Sequence, residues 1–275
     1  MTSITIVIPT LGRLDQLDQC LNSIANFSNT DTHVVVIDQN HQGFLDEMIN
    51  RYSQELDIIH CVTHSKGVSK AKNYAIQFVE SEYVFFLDDD AEILPDTMHQ
   101  LIQTLSETQP DALFGRCVDR EGNNSVARFC YDPSYLTIDD YEGKFIESTM
   151  VIKKDVISCY NFDETLGVGV FHGAEEGCDL VIRLLNEGKS IYYNPDFKVY
   201  HPHKVNSYKD SDVRRVFTYR CGFGRVCEKH SLNRKYYGRL FSVILFIPVC
   251  LFFKRNKLRY YLAELLGLLA GRVVK

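Results

Sequence analysis

No Cys-x-x-Cys pair occurs in this chain, although it holds 9 cysteines, an odd total. The spacing excludes a zinc ribbon and the odd count excludes a complete disulfide framework, so the thiols read as reduced, small core residues. A basic segment leading into a signal-type apolar core is also missing. "MTSITIVIPT" enters a strand-like run at once, which predicts a cytoplasmic protein. No Pro/Gly/Ser-rich linker, internal repeat or low-complexity tract divides the sequence. Neither a Ser/His/Asp nor a Cys/His constellation stands out, so no covalent nucleophile is invoked. What is present is 275 residues, 45% apolar and 24% charged, enough for one large domain or a domain with an appendage.

The net charge of −6 hides an asymmetry. Residues 214–275 carry 14 Lys and Arg against 2 Asp and Glu, whereas residues 1–213 carry 16 against 34. The expected division is a domain over residues 1–213, with a nucleotide-binding part to about residue 92 and an acceptor part over 93–213, followed by a basic helical tail over 214–275.

The acidic part alternates short β-branched runs with helical spacing. "ITIVIPT", "HVVVIDQN", "LDIIHCVT" and "YVFFLD" read as buried strands, with helices over "LDQLDQCLNSIANF", "FLDEMINRYSQ" and "VSKAKNYAIQFVES" between them. Near-continuous apolar strands joined by helices predict an α/β fold whose mostly parallel sheet is covered on both faces. Ligands then belong at the carboxyl ends of the strands. Pro9, Thr10 and Arg13 follow the first strand, Asp38 ends the second, and Asp88, Asp89 and Asp90 end the fourth. Taken singly, Thr10 reads as a helix cap and Asp38 as a turn former.

Three adjacent carboxylates after so apolar a strand are costly unless a cation compensates them. In an extended segment Asp88 and Asp90 point the same way and Asp89 the other, a hard-oxygen pair suited to Mg2+ or Mn2+. His201, in "KVYHPH", could complete such a site. A second acidic group, Glu175, Glu176 and Asp179 in "GAEEGCDL", opens a predicted helix. Carboxylates there favour the helix dipole, an explanation that suits Asp179 best, or one of them serves as a general base.

The ordered set "IVIPTLGR", "VIDQN", "GVSKAKNYAIQFVESEYVFFLDDDAEI", "AEEGCDLVIRLLNEG" and "VYHP" resembles the inverting glycosyltransferases of family 2, over residues 3–203. The resemblance implies the GT-A fold and a nucleotide-diphosphate-sugar donor, a UDP-sugar by family precedent. Pro9, Thr10, Arg13 and Asp38 would line the base and ribose pocket. Gly67, Lys70 and Asn73 would close over the nucleotide, with Asp88 and Asp89 also on the donor side. Asp88 and Asp90 match the metal-binding DxD motif, His201 a histidine that can complete it, and Glu175, Glu176 or Asp179 the base region. Where the family often shows Arg-Ala-Arg-Asn this chain has Lys70-Ala71-Lys72-Asn73, which keeps the charge and loses the planar fork. The implied reaction is a single displacement with inversion.

The tail holds a 14-residue uncharged run, Leu240 to Phe253, then "KRNKLR" and "YYLAELLGLLAG". Fourteen helical residues reach about 21 Å, short of the roughly 20 residues of a spanning helix. Two short apolar segments around a basic turn predict peripheral attachment to the inner face of the plasma membrane, near a polyprenyl-diphosphate-linked saccharide acceptor. A helical hairpin packed on the catalytic domain, or a homodimer interface, is the other use of such a tail. Nucleic acid is not an expected partner, since no recognition fold accompanies the basic residues. The rival readings are a nucleotidyltransferase, which lacks its Gly-rich loop here, a haloacid-dehalogenase-like phosphatase, which lacks its early DxDx[TV], and a silent nucleotide-binding scaffold.

Overall fold

The run Ile4–Thr10 forms strand β1 with all seven residues buried, as a strand sheltered on both faces must be. The computed structural model describes residues 3–27, 32–203 and 207–274. After β1 come α1 (Leu14–Phe27), β2 (Thr32–Asp38), α2 (Asp46–Tyr52), β3 (Asp57–Val62), α3 (Val68–Ala75) and β4 (Tyr83–Phe86), the predicted alternation. Strand β1 pairs in parallel with β2 and with β4, and β2 with β3. Leu17, Cys20, Leu21 and Ile24 of α1 pack with Ile4, Ile6, Ile8, Val34 and Val36 in one core. The alternate set Val7, Val35, Ile37, Val84 and Phe86 is buried as well, so the strands are covered on both sides.

The second half adds β5 (Glu92–Ile93), α4 (Thr97–Thr108), β6 (Ala112–Val118), β7 (Ser134–Tyr135), β8 (Met150–Lys153), α5 (Lys154–Tyr160), α6 (Glu176–Asn186) and β9 (Ile191–Tyr200). The sheet order is β3-β2-β1-β4-β8-β6-β9-β5, with β7 on β9. Strand β8 lies antiparallel to both β4 and β6, so the sheet is mixed, parallel in its first half. "IYYNPDFKVY" forms the single strand β9. Its register against β6 shifts between Phe114 and Arg116, where Gly115 is required because a Cβ there would lie 2.1 Å from the Phe197 carbonyl oxygen.

The chain groups into two compact units, and the grouping does not follow a break at residue 213. The first contains Met1–Lys66, Lys70–Asn161 and Arg183–Lys204, hence the whole sheet; the second contains Gly67–Ser69, Phe162–Ile182 and Val205–Lys275. The second unit is built on α7 (Asp210–Lys229), α8 (Asn233–Phe253) and α9 (Leu258–Val273). Helices α7 and α9 meet backbone to backbone. A Cβ on Gly271 would lie 2.0 Å from the Cys221 carbonyl oxygen, and one on Gly267 2.4 Å from that of Phe217. Cys227, Tyr236, Val243 and Leu268 form the apolar centre of the three helices. Buried Glu264 of α9 accepts from Arg220 Nε of α7 at 2.6 Å and Arg239 Nε of α8 at 2.8 Å, joining all three.

Helix α8 is longer than its uncharged run, because Asn233–Arg239 winds ahead of it. At 21 residues it is long and apolar enough to cross a membrane by length and composition. It and α9 are joined through the basic turn Lys254–Lys257.

Candidate active site

The acid triplet sits in a turn. Strand β4 ends at Phe86, and the Ala91 amide donates to the Asp88 carbonyl at 3.0 Å. Asp88 and Asp90 converge as expected, but through this turn and not through the alternation of an extended strand. His201, one residue past β9, is held by its amide donating to the Val118 carbonyl at 3.0 Å. Its Nε2 lies 3.4 Å from Asp90 Oδ1 and 3.7 Å from Asp88 Oδ2. One donor atom from each of the three falls within 4.8 Å of the others. Two carboxylate oxygens and an imidazole nitrogen at that spacing fit one divalent cation of the Mg2+ or Mn2+ kind, whose ligands stand about 2.0–2.2 Å from the ion.

The charges around these side chains are coupled. Burial pushes the Asp88 carboxyl up, but His201 and then Lys72 and Arg13 outweigh it, so it lies below its ordinary value. Burial lowers His201, and the neighbouring Asp88 and Asp90 more than reverse that. Lys72, buried on α3 with its Nζ 5.9 Å from the centre of the Phe86 ring, is a fixed cation near Asp88. Asp89 turns away from the other two. Its Oδ2 accepts from Thr10 Oγ1 at 2.7 Å and its Oδ1 from Arg13 NH1 at 2.8 Å, while burial pushes its carboxyl up to about 6.

Thr10 therefore holds Asp89 instead of capping a helix. Pro9 lies within β1, opposite Ile37 of β2. Asp38 is fully buried at the carboxyl end of β2, accepting from the Asn40 amide at 2.8 Å, Asn40 Nδ2 at 2.7 Å and His60 Nε2 at 3.1 Å. Arg13 meets the acids, reaching Asp90 Oδ2 at 2.6 Å as well as Asp89. Lys70 and Asn73 are half-buried on α3.

The second acidic group belongs to the second unit. Glu175 precedes α6 with φ +75°, a left-handed conformation that costs a non-glycine residue on the order of 1 kcal/mol or more. Burial raises its carboxyl above the ordinary glutamate value, against the opposing charge of Arg220 and with help from Glu176. Glu176 opens α6 and is 6% exposed. A Cβ on Gly167 would stand 3.3 Å from its carboxylate carbon, so the Gly167 backbone packs directly against it. The loop before these acids is pinned by Ser69 Oγ, donating to the Leu166 carbonyl at 2.6 Å, and by the Val68 amide, donating to Val168 at 2.9 Å. Gly67, at φ +121°, faces Gly169 in the same contact. Asp179 has a different setting. It is fully buried, with Lys229 Nζ at 2.7 Å and His230 Nε2 at 2.8 Å on Oδ1, which ties α6 to α7.

The sequence model of the family described as glycosyl transferase family 2 matches residues 5–161. The chain belongs to that family. Among its relatives, a GalNAc(5)-diNAcBac-PP-undecaprenol beta-1,3-glucosyltransferase of Campylobacter jejuni is 26% identical over 212 residues, covering 73% of this chain and 65% of the relative. A poly(ribitol-phosphate) beta-glucosyltransferase of Bacillus spizizenii is 25% identical over 148 residues, 52% of this chain and 23% of the relative. The chain thus spans less than two thirds of the length of these relatives. Of the solved structures, TarS from S. aureus in complex with UDP-GlcNAc superposes with TM-score 0.60 at 18% identity, over 80% of this chain and 65% of that one. The mannosyltransferase PcManGT from Pyrobaculum calidifontis, in complex with GDP-Man and Mn2+, gives 0.58 at 16% identity, over 98% and 72%. At those identities the likeness establishes the GT-A type of fold.

Within the first unit of this family 2 chain, the structure brings together Thr10, Arg13, Asp88, Asp89, Asp90 and His201, residues that lie up to 191 positions apart in the sequence. Three contributors carried no signal of their own. His60 sits mid-strand, Ser69 reads as an ordinary helix-start residue, and Arg220 lies 45 positions after the glutamate it faces. Only their neighbours in space give them a role.

Proposed function

We propose that this protein is a metal-dependent, inverting glycosyltransferase that moves a sugar from a nucleotide diphosphate to a hydroxyl of a lipid-linked saccharide, in bacterial surface-polysaccharide synthesis. The observation that carries the reading is the convergence of Asp88, Asp90 and His201 at the carboxyl ends of β4 and β9 in a family 2 chain. Asp88, Asp90 and His201 hold a divalent cation, Mn2+ or Mg2+, which when bound neutralises charge developing on the diphosphate leaving group. Residues 1–92 handle the donor, with Asp38, Lys70 and Asn73 as its further contacts, and residues 93–213 the acceptor. UDP is the favoured nucleotide, by the precedent of the family to which the chain belongs.

A carboxylate from the second acidic group takes the proton of the acceptor hydroxyl as that oxygen attacks the anomeric carbon. Asp179 is committed to Lys229 and His230, which leaves Glu175 and Glu176 as the candidates. A raised carboxyl such as that of Glu175 is the better proton acceptor once ionised. The C-terminal helices place the enzyme on the inner face of the membrane, where a lipid-linked acceptor lies. On α9, Leu262, Leu266, Leu269 and Val273 recur at helical spacing on one exposed face, and Phe252 and Phe253 at the end of α8 are 76% and 82% exposed. Lys254, Arg255 and Arg259 stand exposed beside them, as anionic headgroups require.

Isothermal titration with UDP, GDP and dTDP, each with and without Mn2+, tests the donor reading. Binding of one nucleotide that needs both the metal and Asp88/Asp90 is the expected result. Metal-independent binding unaffected by Asp88→Asn/Asp90→Asn would overturn it.

A further inference from the structure

Two of the three adjacent acids already carry a cation in this structure, and it is Arg13. Its NH1 lies 2.8 Å from Asp89 Oδ1 and 2.6 Å from Asp90 Oδ2, so one guanidinium nitrogen bridges the two carboxylates. The arginine is set for this by the turn that presents it. Gly12 adopts φ +73° with its amide donating to Asn40 Oδ1 at 2.7 Å, and the Arg13 carbonyl accepts the first helical hydrogen bond of α1, from Leu17 at 3.0 Å. The two carboxylates differ in what else holds them. Asp89 is buried and fixed by Thr10; Asp90 is more open and has His201 on its other oxygen. The Arg13 side chain is itself 40% exposed, so it has solvent-side room to leave Asp90 while keeping Asp89.

We infer that Arg13 is a resident counter-cation that competes with the divalent ion for Asp90 and makes metal and nucleotide binding interdependent. The inference rests on the metal reading of Asp88, Asp90 and His201. With a divalent ion held by those three side chains, a guanidinium bonded to Asp90 faces a doubly positive neighbour across a single carboxylate. Arg13 gives up Asp90 and keeps Asp89. The released guanidinium is then directed at the next negative charge to arrive, and a nucleotide diphosphate offers several in the planar, bidentate form that arginine prefers. Nucleotide therefore removes the competitor, and metal binds more tightly in its presence than the added phosphate ligands alone would give. By reciprocity the metal tightens nucleotide binding by the same factor.

The test is Mn2+ affinity in nucleotide-free protein, read from the electron paramagnetic resonance of free Mn2+, so that no turnover is involved. Arg13→Met keeps the apolar stem and removes the charge at a part-exposed position. It is expected to bind Mn2+ about tenfold more tightly than the unmodified protein, as removal of one like charge beside a divalent ion predicts. Arg13→Lys, which keeps a charge on a shorter stem, falls between. Adding UDP tightens Mn2+ binding in the unmodified protein by a larger factor than in Arg13→Met. Equal or weaker Mn2+ binding by Arg13→Met, with binding still lost in Asp90→Asn, overturns the inference and leaves the metal reading intact. If Asp90→Asn binds Mn2+ as the unmodified protein does, the metal reading falls and this inference with it.

Discussion

Replacing Gly271 by alanine should unlock the three-helix unit, and the structure says by roughly how much. The new Cβ would lie 2.0 Å from the Cys221 carbonyl oxygen and 2.5 Å from the Cys221 Cα. Ordinary contact needs about 3.4 Å or more, so α7 and α9 must part by over 1 Å. Both obstacles are backbone, which cannot rotate away as a side chain would. Separation also loosens the contacts at Gly224 and Gly267, where a Cβ would come within 2.8 and 2.4 Å of the facing carbonyls. Overpacking of this kind costs about 1–3 kcal/mol, and the lost interdigitation pushes the value to the upper end. The better helix propensity of alanine returns up to about 1 kcal/mol. A net loss of about 2 kcal/mol is expected, equivalent to a Tm lower by about 4–8 °C. Gly238→Ala in α8 is the matched control, because a Cβ there meets nothing within 4 Å. It should stabilise by about 0.5–1 kcal/mol. Urea unfolding followed by far-ultraviolet circular dichroism measures both. If the two variants shift the midpoint alike, backbone closure through glycine is not what joins α7 to α9.

The other predictions concern the two acidic groups and the apolar face. Asp179→Ala leaves the half-buried His230 without its carboxylate and Lys229 with Asp163 alone, and should cost about 1–3 kcal/mol in urea unfolding, with nucleotide affinity of the folded protein unchanged. Glu175 is raised above 4.5, so its protonated form is favoured in the fold; stability is lost as pH climbs from 4.5 through the raised value, and a base at this position gains activity over the same window. The acid limb of the kcat profile should therefore lie above 4.5 and vanish with transfer in Glu175→Gln; a limb that persists in an active Glu175→Gln assigns the base to Glu176. Leu262→Ser with Leu266→Ser and Leu269→Ser should lower flotation with phosphatidylglycerol vesicles at least tenfold while leaving UDP affinity in solution untouched, since each of these part-exposed leucines brings on the order of 1 kcal/mol of apolar burial to a lipid surface. Unchanged flotation would remove the membrane from the proposed function.

By itself the sequence determined the parallel half of the sheet, because near-continuous apolar runs joined by helices must be covered on both faces, and it placed Thr10, Arg13, Asp38 and Asp88–Asp90 at the carboxyl edge of that sheet. It also determined the basic, apolar character of the tail. Tertiary structure decided what those residues do to each other. The aspartate pair converges through a turn whose hydrogen bond, from Ala91 to Asp88, has no sequence signature. Arg13 faces the acids because Gly12 and Asn40 set its turn, and Asp179 is a strut because Lys229 and His230, 50 and 51 positions later, fold back onto it. The length of α8 was hidden because charged residues that end an apolar run do not end a helix. Periodicity reports which face of an element is buried, a local property written along the chain. Which charge meets which is fixed only when distant elements close, since an ion pair depends on distance in space and on the water it excludes.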